Sequence, residues 1–263
     1  MTNHHSLGDA STRFCFLKAW TSIAQSGTDE LFLTNGTLPV YDRLVKYPKL
    51  DESYLKNAKV ETFNEEYQPQ SLSGPTDKLR ATVIFDAKCR ESVEETEARK
   101  DEAELFGFTI DCRARLDPPI PAAYFGNCVA FTMALEKTSL LMGKEGFVTA
   151  AKLLGESLHK TLTDKDGIVK DFGSFEDLFA KMMPTSWIGV AGTPKLKFYD
   201  LDFGWGKPKK HETISIDFNG SISMAACKES NEDLEIGLCL SATEMEAFVS
   251  IFNDGLEAYV HVD

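Results

Sequence analysis

Apolar residues first recur at helical spacing just after Asp9: Phe14 and Leu17 form one set, Phe16, Trp20 and Ile23 another. Asp9 is a good N-cap, because its carboxylate can accept backbone N–H groups that a helix start leaves unpaired. The pattern predicts a helix over 9–23. From 26 to 75 no period is sustained, and Pro39, Pro48, Pro69 and Pro75 mark a long connection with short helical turns, where a domain crossover is expected. Residues 78–86 read as a strand. The dense mixed-charge run over 88–104 offers no apolar face, so it predicts only a solvated helix or a flexible segment. A short apolar run over 105–110, a proline-rich turn over 117–121 and a strand over 124–135 follow.

Residues 144–162 place Phe147, Ala151, Leu154 and Leu158 on one face of a second amphipathic helix, and 174–183 predict a third through Phe175, Leu178, Phe179 and Met182. After Pro184 the period becomes two. Ile214, Ile216 and Phe218 lead into Asn219-Gly220, a favoured hairpin turn, and Ile222 and Met224 lead out. Leu234, Ile236, Leu238 and Leu240 alternate, and Ser241 with Glu244 makes a capping box for a last helix through Met245, Phe248, Ile251 and Phe252. Mixed strands and helices with an antiparallel hairpin define an α/β or α+β class.

Composition narrows the function. The chain has 263 residues and a net charge of −13, which disfavours a protein that grips phosphate backbones, so nucleic acid is not an expected partner. No apolar run approaches a membrane span, and Met1 to Ser6 lacks the form of a signal peptide. Six cysteines show no CxxC or zinc spacing and fit packed, reduced thiols in the cytoplasm, with no metal expected. Asn35 and Asn219 begin N-x-S/T triplets that read as turns.

Three constellations bear on chemistry. His5 and Asp9 form H-x-x-x-D, where an imidazole can take a proton near neutrality; the plainer alternative is a chance pair at a chain end. Arg13, about one turn past Asp9, either pairs with it as an ordinary i,i+4 contact or offers a forked grip to a substrate carboxylate. Asp202-Phe203-Gly204-Trp205-Gly206-Lys207-Pro208 predicts a tight, aromatic-anchored loop without the P-loop frame.

Together these residues resemble the plant BAHD acyltransferases, which move an acyl group from coenzyme A to a hydroxyl or amine. His5 and Asp9 match the family's H-x-x-x-D, Asp202 to Gly206 match D-F-G-W-G, and Tyr124-Phe125-Gly126-Asn127-Cys128 matches the Y-F-G-N-C signature of the anthocyanin and phenolic-glucoside branch. The run from Asn3 to Phe14 is similar to the malonyltransferases. The resemblance implies a chloramphenicol-acetyltransferase-like α/β fold of two lobes with a channel between them. Family members carry a substantial segment before H-x-x-x-D, so the first lobe is expected to be incomplete. Residues 1–75 would be its remnant with the crossover, and 76–263 the second lobe.

The resemblance further implies that His5 is a general base and malonyl-CoA the donor, with no bound cofactor. The acceptor would be a phenolic or flavonoid glycoside. Asp9 would pair with Arg113 or Arg115 and hold the histidine's loop, while Arg13 would hold the malonyl carboxylate. Asp202, Gly204, Trp205 and Gly206 would shape the channel, with Trp205 a candidate near the developing oxyanion. Lys195, Lys197 and Lys207 are available for coenzyme A phosphates. A monomer is usual in the family; association is expected where missing elements leave apolar faces bare. The alternative is a catalytically silent, truncated paralogue, with or without coenzyme A binding.

Overall fold

The computed structural model describes residues 4–35, 38–42, 78–85, 103–141, 145–163, 186–213, 221–230 and 232–260. Helix α1 (Ala10–Ser26) starts at Asp9, whose carboxylate accepts the Thr12 N–H, and stops at Gly27, in the left-handed region at φ 69°. Its apolar stripe is not its buried stripe. Thr12 and Thr21 are buried, while Phe16, Trp20 and Ile23 are exposed. A short helix α2 (Glu30–Asn35) follows.

Among the described residues six strands form one mixed sheet: β1 (Lys78–Phe85), β2 (Ala103–Asp111), β3 (Val129–Lys137), β4 (Ser186–Ala191), β5 (Ile222–Ala226) and β6 (Leu234–Ser241), in the order β1-β6-β5-β4-β2-β3. The pairs β1/β6, β5/β6 and β2/β3 are antiparallel, whereas β4 runs parallel to both β2 and β5. Between them lie α3 (Thr138–Leu141) and α4 (Gly146–Thr163), and α5 (Ala242–Val260) ends the described chain. Thr132 on β3 meets the hydroxyls of Ser157 (2.8 Å) and Thr161 (3.0 Å), fastening α4 to the sheet. The capping box of α5 forms as expected: Ser241 N–H donates to Glu244 Oε2 at 3.0 Å, and Glu244 N–H to Ser241 Oγ at 3.3 Å.

Several expectations change. The strand expected over 124–135 begins at Val129 and runs to Lys137, because the backbone of 124–128 is engaged elsewhere. The expected charge run ends inside β2, which starts at Ala103; residues 88–102 lie outside the described residues. So do the helix expected over 174–183, the strand over 214–218 and the turn at Asn219; Asn35, expected in a turn, is instead the last residue of α2, and the two residues after it lie outside the described residues. Phe147, expected on the buried face of α4, is 62% exposed. β6 is buried on both faces: Glu235 and Cys239 are covered as well as Leu238.

The link from β2 to β3 positions the site. Asp111 pairs with Val129, and Cys112 N–H donates to the Cys128 carbonyl at 2.9 Å, so the ladder continues one step before the chain departs. Cys112, Cys128 and Ala130 form a buried cluster with Leu116, Ile120 and Tyr124 packed against it. The loop that receives the start of α1 shares Tyr124 and Cys128 with this cluster. No helix among the described residues is long and apolar enough to cross a membrane.

Candidate active site

Asp9 is the hub. It is 4% exposed, as is Arg113, which stands in a short 3₁₀ turn, Arg113–Arg115, immediately after β2. The guanidinium grips the carboxylate with two bonds, Nη1 to Oδ2 at 2.8 Å and Nη2 to Oδ1 at 3.0 Å. Thr12 N–H donates to Oδ1 at 3.0 Å and Cys128 N–H to Oδ2 at 2.9 Å. Burial alone would push the Asp9 carboxyl up; the Arg113 bonds, the two backbone N–H groups and the Arg113 charge outweigh it and hold it below its ordinary value. Arg113 is likewise opposed by burial but stabilised as a cation by Asp9 and Asp111. Of the two candidate arginines, Arg113 is the partner; Arg115 turns to the Asp111 carbonyl.

The Tyr124–Cys128 loop closes around this pair. Arg113 Nη2 donates to the carbonyls of Gly126 (3.0 Å) and Tyr124 (3.2 Å). Thr12 Oγ1 donates to the Gly126 carbonyl at 2.8 Å and lies 3.1 Å from the Gly126 N–H. Among the described residues the buried Arg113 Nε has no hydrogen-bond partner, and the guanidinium lies 5.9 Å from the Tyr124 ring centroid. From the far side Val40 lends a strand-like edge: its N–H donates to the Ala123 carbonyl and its carbonyl accepts Phe125 N–H, both at 2.9 Å. Ser11 Oγ reaches Asp111 at 3.1 Å and ties α1 to the end of β2. Gly8 is required for space, since a Cβ there would meet three Thr12 side-chain atoms at 2.5–2.9 Å.

His5 lies in a 3₁₀ turn, His5–Leu7, and is exposed. Its neighbour His4 caps that turn, accepting Ser6 N–H at 3.2 Å. Asn127 Nδ2 donates to the His5 carbonyl at 2.9 Å. Arg13 is exposed and does not hold Asp9, whose oxygens are occupied by Arg113, Thr12 and Cys128.

The second half of α1 meets the glycine loop. Asp202 Oδ1 accepts N–H groups from Gly204 (2.7 Å) and Gly206 (3.0 Å). Both glycines adopt positive φ, 96° and 99°, where a side chain would strain the backbone. These N–H groups, Gly204 first, hold the Asp202 carboxyl below its ordinary value, with help from the Gln25 side chain. The aromatic anchor is Phe203, edge-on to Trp20 at 5.2 Å. Trp205, expected to anchor the loop, is 92% exposed and lies against Phe203 at 6.2 Å.

A buried carboxylate secures the flanks of that loop. Tyr199 OH donates to Glu235 (2.9 and 3.0 Å), Lys210 Nζ lies 3.2 Å from Glu235 Oε2, and His211 N–H donates to the Tyr199 oxygen at 3.2 Å. Burial, reinforced by Glu235, pushes the Tyr199 hydroxyl up to about 12. The His211 ring stacks on Phe198 at 4.3 Å, and Phe198 in turn meets Phe14 of α1 at 5.3 Å. Lys207 pairs with Asp200 at 2.8 Å. Among the described residues Cys227, Glu229 and Glu235 bring ligand-type atoms within 4.8 Å, a grouping invisible in the linear spacing; Lys210 and Tyr199 already satisfy Glu235.

Helix α1 therefore joins three sequence-distant motifs, with a histidine at one end and a glycine-aromatic loop at the other, against a mixed α/β sheet. The crystal structure of vinorine synthase superposes with a TM-score of 0.65 at 18% identity, over 94% of this chain and 60% of that one. A family model described as the Transferase family matches residues 87–254. Malonyl-coenzyme A:anthocyanin 3-O-glucoside-6''-O-malonyltransferase of Dahlia pinnata is 43% identical over 99% of this chain. Phenolic glucoside malonyltransferase 1 of Nicotiana tabacum is 35% identical over 97%. The chain belongs to the transferase family of BAHD acyltransferases. It spans 63% and 64% of the length of these two relatives.

Proposed function

We propose that this chain carries the catalytic motif of a malonyl-CoA-dependent O-acyltransferase acting on a phenolic or flavonoid glucoside in the cytoplasm. The observation that carries the reading is the joint around Asp9, in which Arg113 and residues 124–128 fix the turn bearing His5. In this reading the His5 imidazole takes the acceptor hydroxyl proton as that oxygen attacks the thioester carbonyl, and returns it to the departing coenzyme A sulfur. Asp9 is a positioning residue, because both its oxygens face Arg113 and backbone N–H groups. Arg13, exposed one turn further along α1, is the forked donor for the free malonyl carboxylate. Asp202, Gly204, Trp205 and Gly206 set the shape of the loop at the other end of α1, and Lys195 and Lys197 are cations for coenzyme A phosphates.

The exposure of His5 favours a second reading for the chain acting alone, a folded but catalytically silent member of the family, since a general base needs its substrate held within about 2.6–3.2 Å. Incubating the chain with malonyl-CoA and a panel of phenolic and flavonoid glucosides separates the two. Acceptor-dependent release of free thiol, with a malonyl ester found by mass, supports the enzyme; no release from a chain that melts cooperatively supports the silent form.

A further inference from the structure

His5 is held at its carbonyl. The oxygen accepts the Gly8 N–H at 3.2 Å from within the turn and Asn127 Nδ2–H at 2.9 Å from 122 positions away. The rest of the Tyr124–Cys128 loop grips other targets: Cys128 binds Asp9, and Gly126 binds Thr12 and Arg113. Those contacts fix where α1 begins. Among the described hydrogen bonds, Asn127 makes the one that reaches the His5 backbone from outside its own turn.

We infer that Asn127 is a positioning residue for His5, setting the orientation of the peptide from which the imidazole projects; the inference rests on the reading of His5 as the base. The bond is exposed, and water can replace the amide as a donor, so its loss costs the fold little. Water cannot hold the carbonyl at a fixed distance from the loop. A base displaced by about 1 Å loses on the order of a hundredfold in rate, so the contribution of Asn127 falls on geometry more than on stability. Its chemistry is specific as well: the side-chain amide donates to a carbonyl, whereas an aspartate of the same shape would set a carboxylate against that oxygen.

The test compares wild type, Asn127→Asp and Asn127→Ala, each labelled with ¹³C-histidine and assigned with His5→Gln. Acceptor-dependent malonyl transfer should fall about 10- to 100-fold in kcat in both variants, with KM for malonyl-CoA within about threefold. The His5 ring resonance should broaden or split in both, while the melting temperature stays within a few degrees. A sharp, unshifted His5 resonance in both variants overturns the inference, as does an unchanged kcat. If the wild type transfers no malonyl group, the proposed activity fails, and the ring resonance still decides the role of Asn127. Should either variant fail to fold, a through-hydrogen-bond coupling between Asn127 Nδ2 and the His5 carbonyl in the wild type supports the contact, and its absence contradicts it.

Discussion

Replacing Arg113 with methionine keeps most of the side chain's volume and removes the guanidinium from Asp9. The carboxylate then stays buried with the Thr12 and Cys128 N–H groups as its remaining donors, and the Tyr124 and Gly126 carbonyls each lose one. Truncating one partner of a buried ion pair costs about 3–5 kcal/mol. At roughly 2–4 °C per kcal/mol for a chain approaching this size, the melting temperature should drop by about 6–20 °C. The pH dependence adds a second signature. In the wild type the Asp9 carboxyl lies below its ordinary 3.8, so its stabilisation is complete above that value and is lost as pH falls through the folded one. Without Arg113, burial raises the carboxyl instead, and the variant recovers relative to wild type as acid neutralises it. Thermal melts across pH 3–7 should show the gap widest near neutrality and narrowing as pH falls from the variant's raised carboxyl value toward the wild type's depressed one. Asp9→Asn combined with Arg113→Met should cost less than the sum of the single changes. A melting point within 2 °C of wild type at neutral pH, on the same scale, would refute the assignment of Arg113 as the lock.

Other consequences can be measured separately. Gly8→Ala should push Thr12 off Gly126, costing on the order of 1–3 kcal/mol and reducing amide protection at Gly126; full protection with unchanged melting would show the turn has slack. Asp202→Ala should free the Gly204 and Gly206 N–H groups and lower the fluorescence anisotropy of Trp205, read with Trp20 and Trp187 replaced by phenylalanine. With Asp202 intact, the same loss of anisotropy should set in only as pH falls below 3.8, through the depressed folded value of the carboxyl. Anisotropy that ignores both perturbations would mean that Asp202 does not order the loop.

What the sequence disclosed was mainly local. The Asp9 cap, the Ser241–Glu244 box and strands β1 and β6 follow from patterns a few residues long, whereas β2 showed only as a short apolar run. The site depended on distance. Arg113 and Arg115 are equivalent as letters in R-x-R; only the continuation of the ladder from Asp111 to Cys112 and Cys128 aims Arg113 at Asp9. Asn127 could be matched to a motif, but its hydrogen bond to His5 spans the whole link between two elements. Glu235 occupies a polar place in an alternating strand and is buried because Tyr199 and Lys210 arrive from a segment outside that strand. The stripe on α1 misled most: Phe16 and Trp20 stay exposed, while the Thr12 hydroxyl fills the close contact with the loop. Period finds apolar faces; it does not say which face another part of the chain covers.

The central claim is that the joint around Asp9 presents the His5 imidazole as a base. The most direct measurement is the acceptor-dependent rate of malonyl ester formation from malonyl-CoA, by wild type and by His5→Ala at matched folded concentration. The account predicts measurable turnover in the wild type and a loss of about 10²–10⁴-fold in the variant. Turnover that survives the loss of His5 would contradict it.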